Sequence, residues 1–542
     1  MHHPRLVIIQ DPSTVVPAAA KTPQPFFQTR KPASVQPTKP KPVTSTPVLQ
    51  SIVQPLVQPV LQPQSMYPVD PYCTVSGVSV YQDYTCMLNQ TDIQKNANKF
   101  YAIQLLTNGA CSSYYVLTRY GRVGEKGRVD IKTFNSDYDA RVSFIKTYYD
   151  KTGYTWTNYQ RGWVDPIHYP KCGKYVHMQM EAPQIKEIKI TTQVPSQLDS
   201  KVQSLIGLIS SRQLLERTME MFEIDTQRLP LGKISNQQIG LGQIKLMEIQ
   251  SAIHQADRGR MMSLSSEFWT IIPFATKRNR PPPVIETMEQ LQTTVEMLDT
   301  LKQIGYAGRV IEQHSNIDDI YRSLNVDIGL VDVGSAEWNQ LSDYIQNTHA
   351  PTHHYKLRLM NVYKISKPQH DLADPNNIFG TIGNHKLLIH GSRMTNFVGI
   401  MTEGLRIPKR EHVANGTMFG LGVYYADSIS KSFNYCYAQD TANKGLIVLC
   451  EVALGNSQMV QDPIDDDGPG APYNSRSAEG KSIPNPVEAQ KWVCNAEVEV
   501  PTGHLIRSPK ADINQLQLRY NEYIIYRPEQ YRFRYILELD SY

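Results

Sequence analysis

The sequence predicts a multidomain α+β protein. Three observations carry that prediction: its length, a change of texture near residue 80, and a block of helical periodicity between two strand-rich stretches. At 542 residues the chain exceeds the roughly 250 to 300 at which a single core stops growing, so about two to four domains are expected.

Composition narrows the class. With 40% hydrophobic and 20% charged residues the chain is ordinary for a globular protein, and a net charge of +4 is too small to name a partner, so any basic surface must be local. The cysteines (Cys73, Cys86, Cys111, Cys172, Cys436, Cys450, Cys494) include no Cys-x-x-Cys pair and no Cys/His cluster at zinc spacing. That argues for a reducing compartment and against a disulfide framework or structural metal. No apolar run approaches the roughly 18 residues that span a bilayer, and the opening MHHPRLVIIQDPS lacks a signal h-region. A cytoplasmic or nuclear protein with no membrane partner is expected.

The segments follow in order. Residues 1–80 place proline every few positions with a recurring Gln-Pro step, which prevents helix and central strand and predicts a disordered, polyproline-II-rich tail. Its cations (Arg5, Lys21, Arg30, Lys31, Lys39, Lys41) outnumber its acids (Asp11, Asp70), a mildly basic tail with no compact nuclear-import cluster. Residues 81–185 turn to alternating apolar and aromatic strands, KFYAIQLL and SYYVLTRYGRVGEKGRVDIKTF, followed by the helical DYDARVSFIKTYYDKTG: a small α+β module. Its densest basic run sets Arg119, Arg122, Lys126, Arg128 and Lys132 around Tyr120, Gly121 and two further glycines. Cations interleaved with an aromatic and turn glycines suit phosphate contact with stacking, and equally a solvated hairpin.

Residues 192–315 are predicted all-helical. Val202, Leu205, Ile206, Ile209, Leu214 and Leu215 form one stripe, repeated in SNQQIGLGQIKLMEIQSAIHQ and TMEQLQTTVEMLDTLKQIGYA, with proline-bearing breaks at RLPLGKIS and KRNRPPPVIET. Without clustered acids, His or Cys this bundle reads as structural or regulatory. Residues 320–542 return to strands, LRLMNVYKIS, KLLIH, LIVLCEVAL, YIIY and RFRYILEL, joined by long loops.

Chemistry is sought in that last segment. The apolar Leu387–Ile389 run ends on His390, Gly391 and Ser392, which alone reads as a strand end with a turn and a satisfied histidine. In GVYYADSISKSFNYCY, Asp427 is placed to cap a helix that brings Ser432 and Tyr435 onto one face. In YNEYIIY, Glu522 precedes a β-branched strand, where a carboxylate is usually solvated.

Taken together, LLIHGSR, GLRI, MFGLGVYYADSISKSFNYC, EVALGN and YNEYIIY resemble in order and spacing the catalytic domain of the poly(ADP-ribose) polymerases, whose signature order is His, Tyr, Glu. Upstream, LPLGKIS, FWTIIP and VEMLD resemble that family's helical regulatory domain. MLNQTDIQKNANKFYAIQLL followed by RYGRVGEKG resembles its WGR DNA-binding module, and NTHAPTHH falls at the expected entry to the catalytic domain. The layout without zinc fingers is similar to the short, DNA-dependent members. The resemblance implies a disordered basic tail (1–80), a WGR module (81–185), an all-α regulatory bundle (192–315) and a mixed α/β ADP-ribosyltransferase domain on antiparallel sheets (320–542).

It also implies residue roles. His390, Tyr424 and Glu522 would be catalytic. NAD+ would be held by His390 and Ser392 at the adenosine ribose, Gly391 and Ser432 at the carboxamide, Tyr424 and Tyr435 around the nicotinamide ring, and Arg406 near the adenosine. Met418 and Lys431 would line the donor or acceptor cleft. PKREHVANGTMFG would flank the donor site and EGKSIPNP the acceptor side. Arg119, Tyr120, Gly121, Arg122 and Lys126 would contact DNA. The implied partners are broken or nicked DNA without sequence preference, the chain itself, histones and repair proteins as acceptors, and an accessory protein completing the acceptor site. No metal is implied, and the nucleus is the expected compartment.

Departures from the family pattern are visible too. Tyr120 replaces the WGR tryptophan, and Ala97 stands where asparagine is usual. Gln303 and Gly305 stand where acids are common, with Gly305 weakening its helix by roughly 1 kcal/mol. Autoinhibition by that helix is therefore expected to be leaky. Ile389 and Tyr425 replace tryptophan and phenylalanine as packing changes.

Overall fold

The computed structural model describes residues 67–160, 171, 173–178, 195–224, 235–276, 280–314, 316–351, 353–407, 418–464, 466–510 and 516–542. The tail before residue 67, LPLGKIS except its final serine, and most of the PKREHVANGTMFG loop lie outside the described residues, as does part of KRNRPPPVIET.

The first module is an antiparallel sheet built from the alternating segments. Its strands are β1 (Val78–Asp92), β2 (Ala97–Asn108), β3 (Tyr114–Arg122), β4 (Arg128–Phe134) and the short β5 (Val176–His177), in the order β4-β3-β2-β1-β5. Helix α1 (Asp137–Thr152) covers one face. Ser136 caps its start by accepting from the Asp139 N–H, and Gly153 ends it at φ 77°, a left-handed conformation open to glycine. Ala140, Phe144 and Tyr148 of α1, with Trp156 at the start of α2 (Trp156–Gln160), pack on Leu88, Ile103 and Leu105.

The tail prediction overruns this module. Residues 67–80 were expected to be disordered, yet Tyr67, Val69 and Cys73 pack against Val80, Leu106 and Leu117 on the other face of the sheet. The Asp70 N–H donates to Gln104 Oε1 at 2.8 Å. Pro68 and Pro71 carry the proline-rich texture into this stretch, but its aromatic and aliphatic side chains find a sheet face to cover.

The helical region comprises α3 (Ser200–Ile209), α4 (Arg212–Met221), α5 (Asn236–His254), α6 (Arg258–Ile271), the long α7 (Met288–Gln313) and α8 (Ile317–Ser323). Thr287 and Gln290 form a reciprocal capping box at the start of α7. The helix continues through Gly305 and Gly308, both buried, so the packing of α7 outweighs their low helix propensity.

The C-terminal domain is laid out from β6 (Asp327–Leu330), α9 (Ala336–Asn347), β7 (Leu357–Ser366), α10 (Gln369–Leu372), α11 (Ile378–Ile382), β8 (His385–Gly391), α12 (Phe397–Glu403), β9 (Val423–Tyr425) and α13 (Ile429–Asn434). There follow β10 (Lys444–Ala453), β11 (Ser457–Val460), β12 (Ser475–Ala478), β13 (Gly480–Pro484), β14 (Gln490–Trp492), β15 (Asn495–Val500), β16 (Leu505–Arg507), β17 (Leu518–Tyr520), β18 (Glu522–Ile525) and β19 (Tyr531–Ser541). A seven-stranded sheet runs β14-β15-β8-β10-β19-β7-β6, beside a four-stranded β11-β12-β18-β9 and a three-stranded β16-β13-β17. Most pairs are antiparallel, as expected; β15 with β8, β11 with β12 and β13 with β17 are parallel, so the sheets are mixed. One apolar core joins the helical region to this domain: Leu298, Leu301 and Ile304 of α7 share a cluster with Met394, Phe397 and Met401.

Candidate functional site

The site begins with β8. Its central residues, Leu387, Leu388 and Ile389, are buried between β10 and β15, and Ile389 exchanges backbone hydrogen bonds with Ala426 at 2.8 and 2.9 Å. That exchange brings the end of β8 against the segment after β9. A β-carbon on Gly391 would lie 1.8 Å from the carbonyl oxygen of Ser432, so α13 approaches β8 at a distance only glycine permits. Ser432 is buried, and its hydroxyl donates to the Ile389 carbonyl at 3.3 Å.

His390 Nδ1 lies 3.0 Å from the Tyr424 carbonyl oxygen. A carbonyl only accepts, so this nitrogen carries the proton and Nε2 is left as an acceptor. Burial lowers the pKa of His390, which keeps the ring neutral. The Tyr424 hydroxyl accepts from the Phe419 N–H at 2.9 Å and donates to the Gly420 carbonyl at 2.9 Å, which fixes its ring.

These residues open on a cleft of about 630 Å³, of small-molecule size. Its wall from the C-terminal domain includes His390, Gly391, Ser392, Arg406, Tyr424 and Tyr435, all predicted from the sequence to bind NAD+. Tyr435 is 48% exposed, an aromatic ring left open to the cleft. Ser392 Oγ accepts from Asn396 Nδ2 at 3.0 Å, and Arg406 forms an ion pair with Glu403. Ser432 lies behind Gly391, outside the lining residues.

Glu522 and Lys431 form an ion pair in which both side chains are largely buried. Burial lowers the pKa of Lys431, opposed by the charge of Glu522. Tyr435 sits within electrostatic reach: burial raises its phenol pKa first, then the charges of Glu522 and Glu296 add to the shift. Met418 packs with Tyr424 around Phe419, Val460 and Ile524, on the apolar side of the tyrosine. Lys431 and Met418 thus stand beside the cleft residues, tied to Glu522 and Tyr424 respectively.

One expectation on this side fails. Asp427 does not cap α13; Ser428 occupies the N-cap position, and its hydroxyl donates to the Thr348 carbonyl at 3.0 Å. The Asp427 carboxylate turns instead to residues 521 and 523.

The opposite wall is α7. Gln292, Glu296, Asp299, Lys302 and Gln303 face the same cleft. The Tyr437 hydroxyl donates to Glu296 Oε2 at 2.9 Å, and the Arg393 guanidinium lies 3.4 Å over the Tyr437 ring while pairing with Asp440 at 2.7 Å. Asp299 is exposed toward the cleft, yet the protein mass around it pushes its carboxyl up to about 6. Gln303 abuts Gly399 so closely that a β-carbon there would lie 1.7 Å from its Oε1. The sequence reading missed Arg393, Tyr437 and Asp440, which no local pattern marks. The acids Glu296 and Asp299, at i and i+3 beside an apolar stripe, were the available signal.

The WGR-like residues divide. Arg119, predicted to contact DNA, is buried: its Nε donates to Asp70 Oδ2 at 2.7 Å and Oδ1 at 3.0 Å, its Nη1 donates to the Lys126 carbonyl at 3.0 Å, and Tyr72 and Phe100 flank it. It is a structural cation: the guanidinium is buried and its charge is paired with Asp70, so phosphate does not reach it. Arg122 donates to Asn96, to the Thr276 carbonyl and hydroxyl, and to the Arg280 carbonyl, joining the sheet to the chain after α6. Gly121 passes 2.8 Å from the Gly127 Cα when given a β-carbon, a close approach of two hairpin arms. Tyr120 stacks on Tyr101 at 5.3 Å and donates to Asp130 Oδ2 at 2.9 Å, so one ring face is already covered. Lys126 remains exposed, its ammonium 4.9 Å from the Tyr72 ring. Around the absent asparagine at Ala97, buried Asn98 donates to the Phe274 carbonyl at 2.7 Å, and Asn89 donates to the carbonyls of Trp269 and Thr270.

Comparison with known proteins agrees with this layout. The chain matches the poly(ADP-ribose) polymerase catalytic domain over residues 335–541, that family's regulatory domain over 196–324, and the WGR domain over 84–162. It is 35% identical over 499 residues to poly [ADP-ribose] polymerase 2 of Homo sapiens, covering 87% of this chain and 83% of that protein. It is 34% identical over 474 residues to poly [ADP-ribose] polymerase 2-A of Oryza sativa subsp. japonica, covering 84% and 70%. To poly [ADP-ribose] polymerase 1 of Xenopus laevis it is 34% identical over 472 residues, 84% of this chain and 45% of that protein. With its three modules matched in order and the human and rice type 2 polymerases aligned over 83% and 70% of their length, the chain belongs to the poly(ADP-ribose) polymerase family.

Proposed function

We propose that the chain is a DNA-gated NAD+ ADP-ribosyltransferase that builds poly(ADP-ribose) on itself and on chromatin and repair proteins in the nucleus. The observation that carries the gating is α7, which walls the cleft containing His390, Gly391, Tyr424 and Tyr435. Arg122, Asn98 and Asn89 bond the WGR sheet to the chain at and after α6, which gives DNA binding a route to the helical region. DNA that favours a loosened bundle shifts the population toward an open cleft.

The residues suit NAD+. The Gly391 backbone, bare of a side chain, would meet the carboxamide, with the Tyr424 and Tyr435 rings on either side of the nicotinamide. Neutral His390 would present Nε2 as acceptor to the adenosine ribose. Reaction breaks the bond between ribose C1′ and nicotinamide nitrogen; the electron pair leaves with neutral nicotinamide and positive charge develops on the ribose. The Glu522 carboxylate would stabilise that charge through the 2′-hydroxyl and take up the proton of the acceptor as its oxygen bonds to C1′. Lys431 holds that carboxylate in place until substrate arrives.

DNA would be met by exposed cations of the β3–β4 hairpin, Lys126 and Arg128, through backbone contacts that read no sequence. An accessory protein would complete the acceptor side near β13. Among the described residues no group of three or more His, Cys, Asp or Glu is placed to hold a metal ion, and no helix is long and apolar enough to cross a membrane.

The test is incorporation of labelled ADP-ribose from NAD+ by the purified chain, with and without nicked 5′-phosphorylated DNA, resolved by product size. A DNA-dependent ladder is expected. A single small adduct would mean mono-ADP-ribosylation, and no incorporation would leave a DNA-binding scaffold.

A further inference from the structure

We infer that Asp427 is a positioning residue for Glu522: a buried carboxylate that fixes the strand bearing the reactive carboxylate by binding both of that residue's chain neighbours. This rests on the reading of Glu522 as the catalytic carboxylate.

Asn521 Nδ2 donates to Asp427 Oδ2 at 2.7 Å, and the Tyr523 hydroxyl donates to the same oxygen at 2.9 Å. In an extended chain, side chains at i−1 and i+1 share a face and the residue between them points to the other. Asp427 therefore grips the strand from behind, while the Glu522 carboxylate is held by Lys431. Asn521 is itself fixed, since its Oδ1 accepts from the Gly480 N–H at 2.9 Å. The backbone register adds to the grip: Tyr523 pairs with Tyr425 and Ile524 with Tyr424.

The placement of Asp427 in the chain gives this arrangement its reach. It sits two residues after the end of β9, which carries Tyr424, and just before α13, which carries Lys431 and Ser432 and leads into Tyr435. One segment, 427–431, thus ties down both faces of the strand at Glu522, and it also spaces Glu522 from the tyrosines of the cleft.

A packing role alone does not account for it. Asp427 is 2% exposed, its Oδ1 has no hydrogen bond among the described residues, and burial raises its pKa. Burying a carboxylate is costly, and an apolar side chain would fill the space at lower free energy. The two bonds aimed at residues 521 and 523 are what the carboxylate supplies that an apolar residue would not.

The experiment uses the full chain with nicked DNA, measuring kcat and KM for NAD+, binding of benzamide as a nicotinamide probe, and thermal unfolding. The variants are Glu522→Gln, Asp427→Ala, Asp427→Asn, Tyr523→Phe and the double Glu522→Gln/Asp427→Ala. Loss of positioning predicts that Asp427→Ala lowers kcat by about 10- to 100-fold, with KM and benzamide binding within about threefold of the parent. Asp427→Asn should restore most of the rate, because its amide oxygen accepts both donors. Tyr523→Phe, which keeps the carboxylate and one bond, should fall between. In the Glu522→Gln background Asp427→Ala should remove less than about twofold more, as expected when two residues act as a unit.

Parent-like kcat in both Asp427→Ala and Tyr523→Phe would overturn the proposal. So would a multiplicative loss in the double variant, or a failure of Asp427→Ala to fold combined with parent-like kcat in Tyr523→Phe. Parent-like activity in Glu522→Gln would overturn the underlying assignment of Glu522 and the proposal with it, a result distinguishable from the others by that one variant.

Discussion

Replacing Asp70 by alanine tests whether Arg119 is a structural cation or a DNA contact. The pair is nearly sealed, with side-chain exposures of 4% for Arg119 and 5% for Asp70 and a 2.7 Å contact. Removing one partner of a buried pair costs about 3 to 5 kcal/mol, because the remaining charge stays desolvated without its counter-ion. Arg119 keeps its bond to the Lys126 carbonyl and its contacts with the Tyr72 and Phe100 rings, which places the expected loss at the lower end, about 3 kcal/mol. For a module of this size that is a fall of roughly 12 to 24 °C in its unfolding transition, at about 4 to 8 °C per kcal/mol. The assay is thermal and urea unfolding of the full chain followed by near-ultraviolet signals of the WGR tyrosines, alongside binding of nicked DNA by fluorescence anisotropy. Asp70→Ala should destabilise the module and weaken DNA binding together. An unchanged melting transition with equal or tighter DNA binding, as expected if a freed Arg119 reaches phosphate, would refute the reasoning.

Three further outcomes follow from the geometry. Gly391→Ala places a β-carbon 1.8 Å from the Ser432 carbonyl, so β8 and α13 must part; benzamide binding should be lost, with a stability cost of about 1 to 3 kcal/mol seen in the melting curve. Tyr437→Phe deletes the 2.9 Å bond to Glu296 and with it one tie between α7 and the catalytic domain; at about 0.5 to 1.5 kcal/mol, DNA-free activity should rise roughly 2- to 12-fold and the ratio of stimulated to unstimulated rate should fall. Burial, aided by Arg532 and Lys367, lowers His370 to about 4, and among the described residues its Nδ1, beside the Tyr531 and Phe533 rings, has no hydrogen-bond partner. Between that value and the unfolded value near 6.5 the unfolded chain binds the extra proton, so stability rises with pH across this window and is lost on acidification from about 6.5 to 4. His370→Gln should flatten the melting temperature against pH over that interval.

Local pattern made much of the fold legible. The alternation in KFYAIQLL and the helical stripe through Val202, Leu205, Ile206 and Ile209 depend on side chains a few residues apart, and β2 and α3 appear where those patterns lie. His390, Gly391, Ser392, Tyr424, Tyr435 and Arg406 were legible as a set through the family resemblance, and the cleft gathers them. Arg119 was misread because its surroundings are those of a solvated basic hairpin, while the carboxylate that claims it lies 49 positions upstream in a stretch that reads as tail. Asp427 was misread in the same way: the position before a helix suggests a cap, whereas its partners stand 94 and 96 residues further on.

The kinds of element, their order and the chemistry available at the strand ends follow from the amino-acid order, because periodicity, turn residues and functional groups are properties of short stretches. Which cations are spent inside the fold, that α7 walls the cleft, and that Lys431 and Asp427 hold the Glu522 strand from two sides are settled only when the chain is folded. Those outcomes depend on which distant groups burial brings together. Desolvation makes such pairings obligatory once they form, yet no local pattern records which partner will be met.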